Sequence, residues 1–286
     1  MYMRANFEKI PQFQESSIYA FLFENTHFNA PMHFHPEYEL TYILEGKGIR
    51  YVGNSIQNFE EGDFILLGKN LPHCWKDSGT NNNAVKSIVI QFNESFLGEG
   101  WQNKSEFRNI KNLLKSCLKG IRFKKKTSKQ FSKMLPELLQ KSSLEKLIYF
   151  IQLLERLAKV KQKEFLISEG FTPLINSKTN NRVDTVYNYV HENYNKKITL
   201  KDTASLIGLS EEAFCRFFKK SLNKSFFTFI NEYRINVACK QLIDSKKTVT
   251  EIAFSCGYES LPFFYRQFKK FKKITPLNFK KKYNDL

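Results

Sequence analysis

At 286 residues the chain has room for two domains, each burying its own core, and its net charge of +17 is unevenly placed. Residues 1–102 hold 7 Lys and Arg against 12 Asp and Glu, residues 103–170 hold 17 against 6, and residues 182–286 hold 20 against 10, so only the later parts suit a polyanionic partner. Five cysteines with no C-x-x-C pair argue against a disulfide framework or zinc ribbon, and no run reaches the ~18–20 apolar residues of a membrane span.

The start, Met1 to Lys9, carries Arg4, Asn6, Glu8 and Lys9 where a signal peptide would be apolar, so a cytoplasmic protein without membrane contact is expected. Short aromatic or β-branched runs then predict strands at Ile18 to Glu24, Tyr38 to Glu45, Ile49 to Val52, Phe64 to Leu67 and Val85 to Phe92. Turn material separates them: Gly46-Lys47-Gly48, Gly53-Asn54, Glu61-Gly62-Asp63, Asn70-Leu71-Pro72 and Ser78 to Asn83. Strands of this length and spacing argue an all-β sandwich or barrel over residues 1–102. Among them stands His33-x-His35-x-x-x-Glu39, with Pro72-His73 further on; three of the five histidines fall in this set. Residues two apart on a strand share a face, so His33 and His35, with Glu39 and His73, suit one cavity. Three imidazoles and a carboxylate are a donor set for Zn, Ni, Fe or Mn. The same four residues also suit direct contact with an organic effector, or plain structural hydrogen bonding. Tyr42, Tyr51 and Trp75 are pocket candidates or barrel core.

The period turns helical after residue 102. Phe107, Ile110, Leu113, Leu114, Cys117 and Leu118 keep a helical spacing, as do Phe131, Leu135, Leu138 and Leu139, then Leu147, Phe150, Ile151, Leu154 and Leu157. Three helices are expected over 103–168, or two with a break near Ser142-Ser143. They carry more apolar positions than one side of a small barrel needs, which points to a helical dimerisation segment. Residues 169–181 have the composition of a linker.

From 182 to 286 the pattern is all helical and one motif occurs twice. Ala204-x-x-x-Gly208 followed by Phe214-x-Arg216-x-Phe218-Lys219-Lys220 returns as Ala253-x-x-x-Gly257 followed by Phe264-x-Arg266-x-Phe268-Lys269-Lys270. A helix with a tightly packed Ala, a Gly suited to φ > 0 and a second apolar-striped helix spell a helix-turn-helix. Two in tandem with basic second helices suit two stretches of DNA major groove. Ser210 and Ser260 are the expected N-caps, and Pro262 falls in a first turn, where it is tolerated. With Phe214, Phe218, Phe264 and Phe268 inward, Glu212, Cys215, Arg216 and Lys219 face out on the first unit. Leu261, Pro262, Tyr265, Arg266 and Lys269 do so on the second. Arg216 and Arg266 suit base edges, and the lysines, with the tail Lys280-Lys281-Lys282, suit phosphates.

Ile252-Ala253, Cys256-Gly257-Tyr258, Phe264-Tyr265-Arg266-Gln267-Phe268-Lys269-Lys270, Thr275-Pro276 and Tyr233-Arg234-Ile235-x-x-Ala238 together resemble the DNA-binding domain of AraC/XylS-type transcription regulators. His33, His35, Glu39 and His73, with Gly46 and Gly62-Asp63, resemble the two cupin motifs. The resemblance implies a multidomain regulator with a cupin-like sensor barrel, a helical dimerisation segment and a tandem helix-turn-helix domain. It implies double-stranded promoter DNA as partner, a small-molecule effector such as a sugar or other metabolite, contact with RNA polymerase, and a homodimer. It also implies that Glu212, Cys215, Arg216, Lys219, Leu261, Tyr265, Arg266 and Lys269 read DNA. The family often has Gly where Asn223 and Lys273 stand, so the turn after the final recognition helix is expected to differ in shape. The alternative from another class is a cupin-type metal-dependent enzyme with a helical appendage. Two basic helices at matched spacing have no use in such an enzyme.

Overall fold

The computed structural model describes residues 16–284 other than 29, 78–83, 170 and 172–176; the start at Met1, the turn at Ser78 to Asn83 and much of the stretch 169–181 lie outside them. The chain divides into two compact units, one built mainly of residues 6–175 and the other mainly of residues 176–286.

The front unit contains β1 (Ile18–Asn25), β2 (Tyr38–Glu45), β3 (Gly48–Val52), β4 (Ser55–Phe59), β5 (Phe64–Leu67), β6 (His73–Asp77) and β7 (Val85–Phe92). β4 and β6 were not expected, because Ser-Ile-Gln-Asn-Phe and His-Cys-Trp-Lys-Asp lack the apolar alternation that marks a strand. Two more strands lie in the segment read as helical: β8 (Ile121–Phe123) and β9 (Lys163–Phe165). Three-residue strands leave too short a pattern to see. They extend one sheet in the order β1-β7-β2-β5-β8-β9, while β4-β3-β6 form the other.

Alternation sorts the wide sheet into two unlike faces. Tyr38, Leu40 and Tyr42 of β2, with Ile88, Ile90 and Phe92 of β7, join one apolar core. Register pairs Glu39 with Gln91, Thr41 with Val89 and Ile43 with Ser87, so the opposite face carries buried polar groups. The apolar face is covered by α1 (Arg108–Ser116), α2 (Lys125–Phe131), α3 (Met134–Gln140) and α4 (Ser143–Ala158). Ile110, Leu113, Leu135, Leu138, Phe150, Leu153 and Leu157 are all buried there. Each such side chain contributes roughly 1.5–3 kcal/mol, so these helices are fixed to the sheet and share its core. The helical stretch from Phe131 to Leu139 is split between α2 and α3. Pro136 removes the amide that would bond to the carbonyl of Ser132 and its ring crowds that carbonyl.

The second unit contains α5 (Ser177–Asn193), α6 (Leu200–Leu206), α7 (Glu211–Leu222), α8 (Phe226–Asp244), α9 (Val249–Ser255), α10 (Leu261–Lys272) and α11 (Pro276–Asn284). α8 serves two cores and is therefore apolar on several sides. Near its start, Phe226 meets Phe214 and Phe218 of α7 edge-on, and Phe229 meets Phe218 edge-on and stacks on Tyr187 of α5. Nearer its end, Ile235, Ala238, Cys239 and Leu242 pack with Ile252, Ala253, Phe264 and Phe268. One continuous helix thus sets the spacing between α6–α7 and α9–α10.

Candidate nucleic-acid interface and barrel site

Both helix pairs are built by the same local chemistry. Leu209 donates its amide to the carbonyl of Ala204 (3.0 Å), and Tyr258 donates to Ala253 (3.1 Å). The closing bond is kept although the second turn is one residue longer, so the added residue, Glu259, falls between that bond and the cap. The hydroxyl of Ser210 accepts from the Ala213 amide at 3.3 Å and that of Ser260 from the Phe263 amide at 3.4 Å, with Pro262 in the first turn of α10. These caps supply partners for amides that no helical carbonyl reaches.

Phe214, Phe218, Phe264 and Phe268 are each 0 % exposed. Their burial turns the other face of each helix outward: Glu212, Cys215, Arg216 and Lys219 are exposed on α7, and Arg266 and Lys269 on α10. Leu261 and Tyr265 are half-buried and pack against the second core, so only part of each side chain faces out. Phe263 was not anticipated: it is exposed, and the guanidinium of Arg266 lies 5.7 Å from its ring centre. A cation–π contact of this kind limits the wandering of a long side chain. An aromatic next to Phe264 in an apolar-rich helix reads from sequence as core, which hid it.

The expected difference in the final turn is not found. Asn223 closes α7 at φ 52° and Lys273 closes α10 at φ 64°, each donating its amide to the carbonyl four residues back at 2.9 Å. The αL cap is kept in both places, and Lys273 bears the strain that a glycine would avoid.

In the front unit the four motif residues converge. One ligating atom each from His33, His35, Glu39 and His73 lies within 4.8 Å of the others. A backbone bridge joins His33 to His73, with amide–carbonyl bonds of 3.1 and 2.9 Å, which sets two of the rings side by side. His33 Nδ1 lies 2.9 Å from the carbonyl of Pro31, and His73 Nδ1 lies 2.7 Å from that of Leu71. A proton on Nδ1 held by a carbonyl leaves the Nε2 lone pair for a ligand. Glu39 accepts from Thr41 Oγ1 at 2.6 Å and Gln91 Nε2 at 3.0 Å, and its Oε2 lies 3.1 Å from His35 Nε2.

Charge is distributed unequally in this cluster. Burial, with His73 beside it, lowers His33 to about 3. Burial alone would lower His35 as well, but contacts with Glu37 and Glu39 outweigh it and raise that ring to about 10. Burial would raise the Glu39 carboxyl, yet His73, together with His35, holds it well below the usual carboxylate range. The donor set fits a transition metal that would displace the proton of His35: three imidazoles, one ionised carboxylate, and a buried His73 Nε2 with no hydrogen-bond partner.

The three pocket candidates separate. Trp75 is two residues beyond His73 on β6, and the two rings are 5.6 Å apart, so it borders the cluster. Tyr42 packs on Phe64 in the helix-covered core. It is three positions from Glu39, which places it on the opposite face of β2. Tyr51 is paired with Cys74, on the face of its sheet that His73 and Trp75 do not occupy. Neither tyrosine borders the cluster.

A barrel with a buried His/Glu site, followed by two matched helix-turn-helix units with arginines outward, defines a DNA-binding regulator with a sensor-type front. Residues 203–282 match the helix-turn-helix domain family and residues 22–89 the cupin domain family. The uncharacterised HTH-type transcriptional regulator YdeC of Bacillus subtilis is 25 % identical over 260 residues, covering 90 % of this chain and 88 % of that protein. The melibiose operon regulatory protein of Escherichia coli K12 is 22 % identical, covering 91 % and 86 %. The Msm operon regulatory protein of Streptococcus mutans is 25 % identical, covering 85 % and 84 %. The chain is thus similar, over about nine tenths of its length, to AraC-type transcription regulators, with a cupin domain followed by a helix-turn-helix domain. Its named relatives are regulators, which leaves the enzyme alternative without support.

Proposed function

We propose that this regulator is a ligand-controlled cytoplasmic homodimer without enzymatic activity, in which the barrel senses and α7 and α10 read promoter DNA. The observation that carries the reading is the pair of exposed arginines, Arg216 and Arg266, at matched positions on two capped helices over twin phenylalanine cores. Glu212, Cys215 and Lys219 flank the first; Phe263, Tyr265, Leu261 and Lys269 flank the second. Arginine pairs in two places with guanine, whereas the lysines meet phosphates. RNA polymerase is the further partner that such a promoter-bound regulator would meet. Among the described residues no helix is long and apolar enough to cross a membrane.

Two relatives are named for the melibiose and Msm operons, which supports a sugar as the effector class. The polar inner wall of Thr41, Ser87 and Gln91 supplies hydrogen-bonding groups of the kind a sugar needs. His33, His35, Glu39 and His73 would hold a transition metal there, which supplies a Lewis-acidic centre for an oxygen ligand. Purified protein is expected to carry about one transition-metal ion per chain, and His33→Ala with His73→Ala to abolish it by elemental analysis. Metal-free wild type that still responds to its effector would end the metal reading. The regulator reading is tested by gel shift of the full chain on the DNA upstream of its own gene, with salt varied. Affinity is expected to fall steeply as salt rises, because bound phosphates release counterions. Absence of binding at low salt would overturn it.

A further inference from the structure

The helices beside the barrel enclose a second candidate site, separate from the His/Glu cluster. A cleft of about 600 Å³ opens between α2, the start of α3 and the end of α4. That volume lies within the range of small-molecule pockets, roughly 300–1,000 Å³. Its rim carries Lys126, Arg156, Lys159 and Lys161, and no carboxylate lines it among the described residues. Its floor is apolar, with Phe131 and Met134 both buried.

The negative end of the α4 dipole accounts for Arg156 and Lys159, which sit in and just after its last turn. Lys159 is also paired with Glu155 at 3.0 Å. It does not account for Lys126, which comes from α2, nor for Lys161 in the loop beyond. The Arg156 guanidinium meets only a thioether, Met134 Sδ at 3.4 Å, a weak acceptor for so strong a donor. Lys126, Arg156 and Lys161 make no ion pair among the described residues, and residues 103–170 hold 17 Lys and Arg against 6 Asp and Glu. An anion in the cleft would supply the countercharge that its lining lacks.

We propose that this cleft binds a phosphorylated small molecule, its phosphate among the four cations and its ring or chain against Phe131 and Met134. A duplex is disfavoured because DNA presents a convex charged surface and gains nothing from an apolar floor in a recess. A monocarboxylate engages one or two cations and leaves the rest unpaired, whereas a phosphate presents three oxygens and up to two charges. The loop that contributes Lys159 and Lys161 runs directly into β9, so occupancy bears on the strand that closes the sheet. This input is distinct from sensing in the barrel and does not depend on it.

Calorimetric titration of the full chain with glucose 6-phosphate, adenosine triphosphate and inorganic phosphate, at about 0.15 M salt to suppress loose ion pairing, tests the assignment. One of the two organic phosphates is expected to bind one per chain, more tightly than inorganic phosphate. Lys126→Gln with Lys161→Gln, both exposed in the native protein, is expected to weaken that binding about tenfold through loss of two charge-assisted contacts. Lys269→Gln with Lys270→Gln on α10 is expected to leave it unchanged. Failure of both organic phosphates to bind one per chain would overturn the proposal. So would inorganic phosphate binding as tightly as either, or an equal loss in the two double variants, which would show only the attraction of a basic protein for anions.

Discussion

At the scale of single residues, the two copies of the motif are chemically alike but not equally constrained. Gly208 and Gly257 both take positive φ, at 65° and 80°. A Cβ on Gly208 meets nothing within 4 Å, so Gly208→Ala is expected to cost only the left-handed strain, about 1 kcal/mol. A Cβ on Gly257 would collide with the carbonyl oxygen of Tyr194 and the guanidinium of Arg234. Arg234 itself donates to Tyr194 and Lys196 at 2.8 and 2.7 Å, so the clash spreads into a bonded network. Gly257→Ala is therefore expected to cost about 3 kcal/mol or more, and scanning calorimetry of the two variants checks the gap. Equal destabilisation would mean that the turn after α9 is free to move. The arginines allow a sharper functional test. Arg216→Ala or Arg266→Ala is expected to cost about 1–3 kcal/mol on the cognate site and to relax preference at one or two base pairs, whereas Lys280→Ala weakens all sequences alike. Binding to a panel of single-base operator variants distinguishes the two, and a uniform loss in the arginine variants would reassign them to phosphate.

At the scale of elements, the starts of the DNA-binding helices are specified by side-chain caps, and one is sensitive to pH. Thr248 and Glu251 form a reciprocal capping box at the start of α9, with the Glu251 carboxylate accepting from the Thr248 amide at 2.7 Å and its hydroxyl at 2.8 Å. Those bonds, the backbone one foremost, lower the Glu251 pKa. A carboxyl lowered on folding stabilises above its unfolded pKa and loses that contribution as pH falls through the folded one. Glu251→Gln is thus expected to melt below wild type at neutral pH, with the gap closing as the medium is acidified past the ordinary carboxylate range. A gap that persists in acid would show that the box acts through geometry alone. Much at this scale was legible beforehand: Ser210 and Ser260 as caps, the twin phenylalanine faces and five front strands followed from local pattern. β4, β6, β8 and β9 did not, because their pairing is decided by neighbours distant in sequence. The convergence of His33, His35, Glu39 and His73 was readable from the motif, although His33 and His35 lie ahead of β2 and are held by the isolated bridge to His73 rather than by a shared strand. Tyr42 stands at an odd offset from Glu39, so the strand period turns it away from the cluster and into the helix-covered core, although its residue type also suits a pocket wall. For Tyr51 the face depended on pairing with β6, a strand the pattern did not show.

At the scale of the whole molecule, the proposed homodimer needs a self-complementary surface, and one side of α4 is the candidate. Phe150, Leu153, Leu154 and Leu157 turn one side of α4 into the core. Its other side also carries apolar groups at helical spacing: Leu144 is 68 % exposed, Ile148 is 49 % exposed, and Ile151 continues the line half-buried. Single exposed leucines are ordinary, but a row at i, i+4 and i+7 on a helix already anchored by its other face suits a symmetric helix–helix contact. A dimer formed there would present four helix-turn-helix units and match paired half-sites. Leu144→Glu with Ile148→Glu places charges on that row without touching the core, so the fold should persist while like charges meet across the two-fold axis. Sedimentation at tens of micromolar is expected to show wild type as a dimer and the double variant as a monomer with an unchanged circular dichroism spectrum. DNA binding by the variant should fall most on sites with two half-sites and least on one alone, since each protomer keeps its own pair of reading helices. A monomeric wild type at that concentration removes α4 as an interface, and a double variant that stays dimeric moves the interface elsewhere.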